Sequence, residues 1–389
     1  MAEDVWRALA LQVADGRGPW RLPTEPPTRS ERMLALTART RLTEDDASQA
    51  RALGEQLTER EWHQMMTLAR VGYVDSLVYA QIAAIGLLPL LPSAIYASFA
   101  DRYRETLLEN LRIRTALEHL LDQLATAGIA AVPLKGVTLA ERLYTNIGWR
   151  PTRDIDLLVR REDIRPIARL LLANGYHTEY GQEDAYAFEA IATTETKYER
   201  KDAPVVELHW GLSKRPTYRR GLATASIWAR TVTAIWRGRT IRVLAPADEL
   251  RFLAVHCTAD HQHSQLNWLV DIAELVGRLP SDWSWSAFTA ETIATGLATP
   301  VGLAMAQCRA MLRLEIPDEP LVETLRAGLS AEEQAAWQSA WATRLSRRWI
   351  AAHLRAISSR RERARFAAGA LARVAAKTTN ARRRRITSG

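Results

Sequence analysis

The stretch "LKGVTLAERLYTNIGWRPTRDIDLLV", Leu134 to Val159, decides how the rest of the chain is read. Its end, "DIDLLV", has the alternation and apolar finish of a strand entering a core. On a strand, residues two apart face the same way, about 7 Å along the chain. Asp154 and Asp156 therefore share a face. Two such carboxylates repel unless they are solvated or bridged by a cation. Hard oxygen donors suit Mg²⁺ or Mn²⁺. An Asp-x-Asp turned to solvent is the plain alternative.

The start of the stretch supplies an anion-binding element. Lys135-Gly136 falls between a short apolar run, "AAVPL", and a helical pattern, "VTLAERLY". Glycine lets the backbone approach a ligand closely. The first turn of the helix, near Val137 and Thr138, offers free N–H groups to an anion, and Lys135 adds a full charge. The spacing is not that of a Walker loop. A third acid stands downstream in "PVVELHW": Glu207 interrupts an apolar strand and must be satisfied. If that strand lies beside "DIDLLV", three carboxylates meet at one point. His209 shares the strand face of Glu207. It is read either as a contact to nucleotide or acceptor, or as a structural histidine.

Outward from this centre the pattern is α+β. "REDIRPIARLLLANGY" reads as a helix closed by Gly175, and "AYAFEAI", "TETKYER" and "PVVELHW" as strands. Before it, residues 93–129 show apolar positions at helical spacing over many turns. After about Ser213 the chain turns mostly helical again. We expect a small sheet domain over residues 129–212 between helical subdomains at 31–128 and 213–340. A loose segment at 1–30 and a basic helical tail at 341–389, partly disordered, flank them. Ser76 to Ala100 carries no charge, but Pro89 and Pro92 break it, so two core helices meeting at a turn fit better than a membrane span.

Composition narrows the function classes. The chain has 389 residues, enough for two or three subdomains. Cys257 and Cys308 are far apart, which argues against a disulfide framework or a cysteine zinc site and fits a reducing cytoplasm. The N-terminus has no apolar targeting run, so a cytoplasmic location is expected. The net charge of +8 comes from the tail: residues 344–389 hold 14 Lys and Arg against one acid, Glu362. The tail reads as a solvated helix or as a handle for RNA or another anionic partner. His256, His261 and His263 cluster in "VHCTADHQH", but only the first and last share a helix face, poor spacing for zinc. Asp271, on the apolar face of "WLVDIAEL", can pair with a base at a subdomain junction or border a nucleotide.

Taken together, the motifs resemble the polymerase-β-type nucleotidyltransferase superfamily, and more closely a bacterial branch of uncharacterised nucleotidyltransferase-like proteins. The resemblance rests on Leu134-Lys135-Gly136, Leu143-Tyr144, Arg150, Asp154 to Val159, Gly175-Tyr176 and Glu207 to Trp210. It extends over roughly residues 60 to 280. It implies a nucleotidyltransferase-type sheet and metal-dependent transfer of a nucleoside monophosphate from an NTP, ATP first, to a hydroxyl acceptor. Asp154, Asp156 and Glu207 would be the catalytic metal ligands, holding Mg²⁺ or Mn²⁺ ions about 4 Å apart for in-line displacement. Lys135 and Gly136, with Arg150, Arg153 and His209, would bind nucleotide or phosphate; each arginine has an alternative as an Asp partner or loop pin. The acceptor is left open among protein, peptide, small molecule and RNA. The wider superfamily has Gly-Ser where this chain has Lys-Gly and then Val137. That departure keeps two alternatives in play: a fold with reduced turnover that binds nucleotide or serves a toxin–antitoxin pair, and a nucleic-acid binder acting through the tail.

Overall fold

The computed structural model describes residues 27–178, 194–260 and 265–328. The expected strand "AYAFEAI" and the basic tail lie outside the described residues.

Four helices open the described chain: α1 (Arg29–Thr37), α2 (Glu44–Gly54), α3 (Glu59–Val71) and α4 (Asp75–Ala84). Local sequence fixes their starts. Thr28 with Glu31 and Thr58 with Glu61 form reciprocal capping boxes that satisfy backbone N–H groups otherwise left without partners. The uncharged stretch after Ser76 resolves into α4, a single 3₁₀ turn at Leu88–Leu90, and the start of the long α5 (Ser93–Thr126). Among the described residues, no helix is long and apolar enough to cross a membrane. Helix α5 stops where Gly128 adopts a φ of +70° and turns the chain into the sheet.

The sheet elements follow as β1 (Ala131–Pro133), α6 (Gly136–Leu143), β2 (Asp154–Val159), α7 (Ile164–Ala173), β3 (Glu195–Tyr198) and β4 (Val205–His209). The strand order is β1-β2-β4-β3, with β2 and β4 parallel and both edge strands antiparallel to their neighbours. The period of two then sorts every side chain. Ile155, Leu157, Val159, Val206 and Leu208 face one core with Ile113, Leu117 and Leu120 of α5 and Ile164 and Ile167 of α7. Each such apolar side chain taken from water contributes about 1.5–3 kcal/mol. Asp154, Asp156, Glu207 and His209 face the other way.

Beyond the sheet come α8 (Pro216–Arg219), α9 (Thr224–Arg230), β5 (Val232–Trp236), β6 (Arg239–Val243) and α10 (Pro246–Val255). They are followed by α11 (Leu266–Val276), α12 (Trp285–Ala294), α13 (Ala298–Leu312) and α14 (Asp318–Gly328). The expectation of a mostly helical chain after Ser213 needs one correction: residues 232–243 form a β-hairpin. Its turn is Arg237-Gly238, with φ of 51° and 76°, the left-handed pair that a tight hairpin requires. Trp236, Ile241 and Val243 of the hairpin join the core behind the sheet. The remaining helices bury a second core running from Met33 and Trp62 to Leu303 and Leu325, which takes in Val132 and Leu158 of the sheet. The architecture is α+β, a small sheet held between helices from both ends of the described chain.

Candidate active site

The parallel register of β2 and β4 sets Asp156 directly opposite Glu207. The antiparallel register of β3 and β4 sets Lys197 opposite Glu207 and Glu195 opposite His209. One face of the sheet thus carries Asp154, Asp156, Glu207, His209 and Glu195 in a compact array. Ligand atoms of Asp156, Glu207 and His209 all lie within 4.8 Å of one another. Asp154 shares their face but falls outside that close group.

The array is countered by cations of the chain itself. Lys135 Nζ stands 2.7 Å from Asp156 Oδ2, and His209 Nε2 stands 2.9 Å from Oδ1. His209 is also 3.8 Å from a Glu207 oxygen, and its Nδ1 is 3.6 Å from Glu195, which Lys214 approaches at 2.8 Å. Burial opposes any charge here, and the partners decide the outcome. Burial alone would raise the Asp156 carboxyl; Lys135 and His209 outweigh it and hold that carboxyl well below the usual range. Burial likewise works against the charge on His209, yet the Asp156 hydrogen bond wins and raises its pKa. Among the described residues, Asp154 has no such close cation. Burial, with Asp156 alongside, pushes it up to about 6. Glu207 is raised for the same two reasons.

The Lys-Gly step is shaped by backbone geometry. The Leu134 N–H donates to the Asp156 carbonyl at 3.1 Å, so the chain just before Lys135 is tied to the strand that bears Asp156. Gly136 then takes a φ of +66°, a region costly for any residue with a Cβ. A Cβ there would also lie 3.2 Å from Thr152 Cγ2. The turn starts α6 with no side chain capping its first N–H groups.

A cavity of about 240 Å³ opens over this array. Lys135, Gly136, Asp154, Glu207 and His209 line its sheet side, and Phe252, His256 and Trp268 its helical side. Arg153 is at its rim, its guanidinium 4.6 Å from the centre of the Tyr73 ring. His256 begins a π-helical turn, His256–Asp260, and packs edge-on against Trp268 at 5.0 Å. His261 and His263 lie outside the described residues.

Arg150 borders the same cavity but is committed elsewhere. Its Nε and Nη2 donate to the two oxygens of Asp271, each at 2.7 Å, and Tyr144 donates to Asp271 Oδ1 at 2.7 Å. Asp271 has no exposed surface and Arg150 only 4%. Of the two readings of Arg150, the geometry favours the partner of an acid over a phosphate ligand. Asn110 of α5, fully buried, completes the joint. Its amide donates to the carbonyls of Ile147 and Arg150, and its oxygen accepts from the Thr152 N–H at 3.1 Å. Tyr144, Arg150 and Asp271 therefore lock the loop before β2 onto α11.

The sequence reading did not single out Glu195, Lys214 or Asp260, all of which line the cavity. Alternation in "TETKYER" does put Glu195 and Lys197 on one face. Only the pairing of β3 with β4 shows which face that is.

With this geometry in hand, comparison with protein families is decisive: a family described as uncharacterised nucleotidyltransferase matches residues 58–313. The chain belongs to that family. The match covers well over half of the sequence and includes α3 through α13, hence the whole sheet, the cavity and the Arg150–Asp271 joint. It assigns the chain a nucleotidyltransferase-type role at the level of class. No curated protein matches the chain.

The donor set can be tested for a divalent ion on its own chemistry. The buried Oδ2 of Asp156 is held by Lys135 at 2.7 Å, a charge-assisted contact, and Glu207 stands opposite Asp156 on β4. Carboxylates that face one another across paired strands are suited to a hard cation. Both ring nitrogens of His209 already face carboxylates, which fits a partner of Asp156 better than a metal ligand. The oxygen donors present therefore fit Mg²⁺ or Mn²⁺.

Proposed function

We propose that the chain transfers a nucleoside monophosphate from an NTP to a hydroxyl-bearing acceptor, in a reaction that depends on Mg²⁺ or Mn²⁺. The observation that carries this reading is the register pairing of Asp156 with Glu207 beside the Lys135-Gly136 turn. It sets carboxylates for a cation next to a helix start for a phosphate. Asp156 and Glu207, with Asp154 on the same face, would hold the metal. A bound divalent ion would supply charge neutralisation at the phosphoryl oxygens and lower the pKa of the attacking hydroxyl.

The chain's own groups have separable tasks in this reading. Lys135 and the N–H groups at the start of α6 hold the phosphates. His209 fixes Asp156 through Oδ1. Glu207, raised by its buried setting, is the candidate acceptor of the hydroxyl proton. Arg153 at the rim offers a charge to the outer part of the nucleotide. Arg150 acts at one remove, by holding Gly136 and the loop before β2 in place; its Nη1 lies 3.5 Å from the Gly136 carbonyl. ATP is the first donor to test.

The test is incubation with labelled ATP, CTP, GTP or UTP, Mg²⁺ and a cell extract, beside Asp156→Ala. Labelled product or protein formed by the wild type alone is expected. Identical results for the two proteins with every nucleotide would sink the reading.

A second reading is a nucleotide-binding module of reduced turnover. It is favoured by the cations already seated on both oxygens of Asp156. Calorimetry with Mg²⁺ and each NTP, run beside a pyrophosphate-release assay, separates the two. Tight binding without release supports the module.

A further inference from the structure

The position of Lys135 carries a consequence that rests on the nucleotidyl-transfer reading. Its ammonium group stands at a carboxylate oxygen of the group that would hold the metal. Asp156 Oδ1 is taken by His209 and Oδ2 by Lys135, whose Nζ is 2.7 Å from it. The charges that draw Lys135 there are Asp156, Asp154 and Glu207, the same carboxylates that would hold the ion. An ammonium and a divalent cation cannot share that oxygen at close range, since like charges a few ångströms apart in a partly buried site repel strongly.

Lys135 has a second place to go. Its backbone is pinned, because the residue before it is hydrogen-bonded to the Asp156 carbonyl and the residue after it makes the left-handed turn into α6. The side chain alone can swing, and its base lies at the uncapped start of α6, where N–H groups and the cavity meet. An anion held there would give the ammonium a new partner while Oδ2 became available to a metal.

We infer that Lys135 is an exchangeable internal counter-ion: it holds Asp156 before loading and transfers to the triphosphate on loading, which makes metal affinity conditional on the nucleotide. Lys135 is thus a positioning residue for the metal as well as a phosphate contact. The arrangement links its two roles through one side chain.

The test uses metal binding and not turnover. Mn²⁺ alone is titrated into wild type, Lys135→Met and Lys135→Gln, followed by electron paramagnetic resonance. Removing the competing charge should tighten Mn²⁺ binding by at least about tenfold in either variant. The same variants should bind Mg²⁺ with a non-hydrolysable ATP analogue at least about tenfold more weakly than wild type, for loss of a charge-assisted phosphate contact. Opposite signs are the mark of exchange, because a merely structural lysine would weaken both. Equal Mn²⁺ affinities in wild type and variants overturn the inference while the nucleotidyl-transfer reading stands. Failure of wild type to bind the Mg²⁺–analogue complex overturns that reading, and the exchange with it. Wild type also permits a check without substitution. Mn²⁺ with inorganic triphosphate should raise its melting temperature clearly more than Mn²⁺ alone, and equal rises overturn the exchange.

Discussion

Two buried charge clusters border the same cavity, and they are built differently. In the Arg150–Asp271 joint every strong acceptor is matched: two parallel hydrogen bonds of 2.7 Å and a third from Tyr144 close around one carboxylate. In the Lys135–Asp156 array, among the described residues, the carboxylates Asp154, Asp156, Glu207 and Glu195 outnumber Lys135, His209 and Lys214, the cations in close contact with them. The first cluster is complete without a ligand and so reads as architecture. The second is complete only with an added cation and so reads as a site. The balance of carboxylates against cations, and not burial as such, is what tells them apart.

The largest effect expected from this difference is on turnover. Asp156→Asn should cut labelled product by at least about a thousandfold, since it removes a carboxylate at the centre of charge stabilisation. Its circular dichroism should stay close to wild type and its melting temperature should fall less than that of Asp271→Asn, because Lys135 keeps Asp154 and Glu207 as nearby opposite charges. The Asp271→Asn variant should show the reverse emphasis, with stability falling before activity per folded molecule. If both variants lose stability alike, the division into joint and site is wrong.

The joint itself is tested by Arg150→Met. Removing one partner of a buried ion pair leaves an uncompensated charge and costs about 3–5 kcal/mol, read from urea unfolding. Arg150→Met with Asp271→Leu should recover at least half of that loss, because a packed apolar pair avoids the desolvation cost. A double variant as unstable as the single one would mean that the hydrogen bonds, and not the charges, hold the loop.

How much of this was legible before any coordinates follows from the range of each interaction. Strand β2 and the turn before α6 are local: alternation in "DIDLLV" and a Lys-Gly step between a strand and a helix are written in consecutive residues. The end of α5 at Gly128 is local too. The partner of Arg150 is not, since Asp271 is 121 residues away and meets it only after α11 packs against the sheet loop. The place of His209 beside Asp156 depends on β2 and β4 pairing in parallel across an intervening helix. The hairpin at residues 232–243 was missed for a different reason. Val232 and Ile235 are apolar yet face solvent, which blurs the pattern of β5, so only the short alternation in "TIRV" and the Arg237-Gly238 turn mark it.

Asp260 provides a pH test on the far wall of the cavity. Burial, opposed by Arg215 and Lys214, pushes its carboxyl up to about 6. A carboxyl whose pKa is raised on folding binds its proton more tightly in the folded state. The stability it contributes is therefore present below the unfolded value near 4 and is lost as pH rises toward 6. Wild type should lose on the order of 2 kcal/mol relative to Asp260→Asn between those pH values. Parallel pH profiles for the two proteins would show that Asp260 is satisfied, like Asp271, and belongs with the architecture.

The smallest effect is expected at the residue that joins the two clusters. Gly136 follows Lys135 directly, and its carbonyl lies 3.5 Å from Arg150 Nη1. Its φ of +66° and the 3.2 Å approach of Thr152 Cγ2 to any Cβ leave room for no other residue without strain. Gly136→Ala should cost about 1–2 kcal/mol in thermal unfolding, the usual penalty for forcing a side chain into the left-handed region. The strain can relax in only two directions. If the turn shifts toward the array, Lys135 leaves Asp156 and Mn²⁺ binds more tightly, as in Lys135→Met. If it shifts toward the joint, metal affinity is unchanged and only stability falls. The long reach of Arg150 Nη1 to the carbonyl makes that side the softer one, so loss of stability with unchanged Mn²⁺ affinity is the expected result.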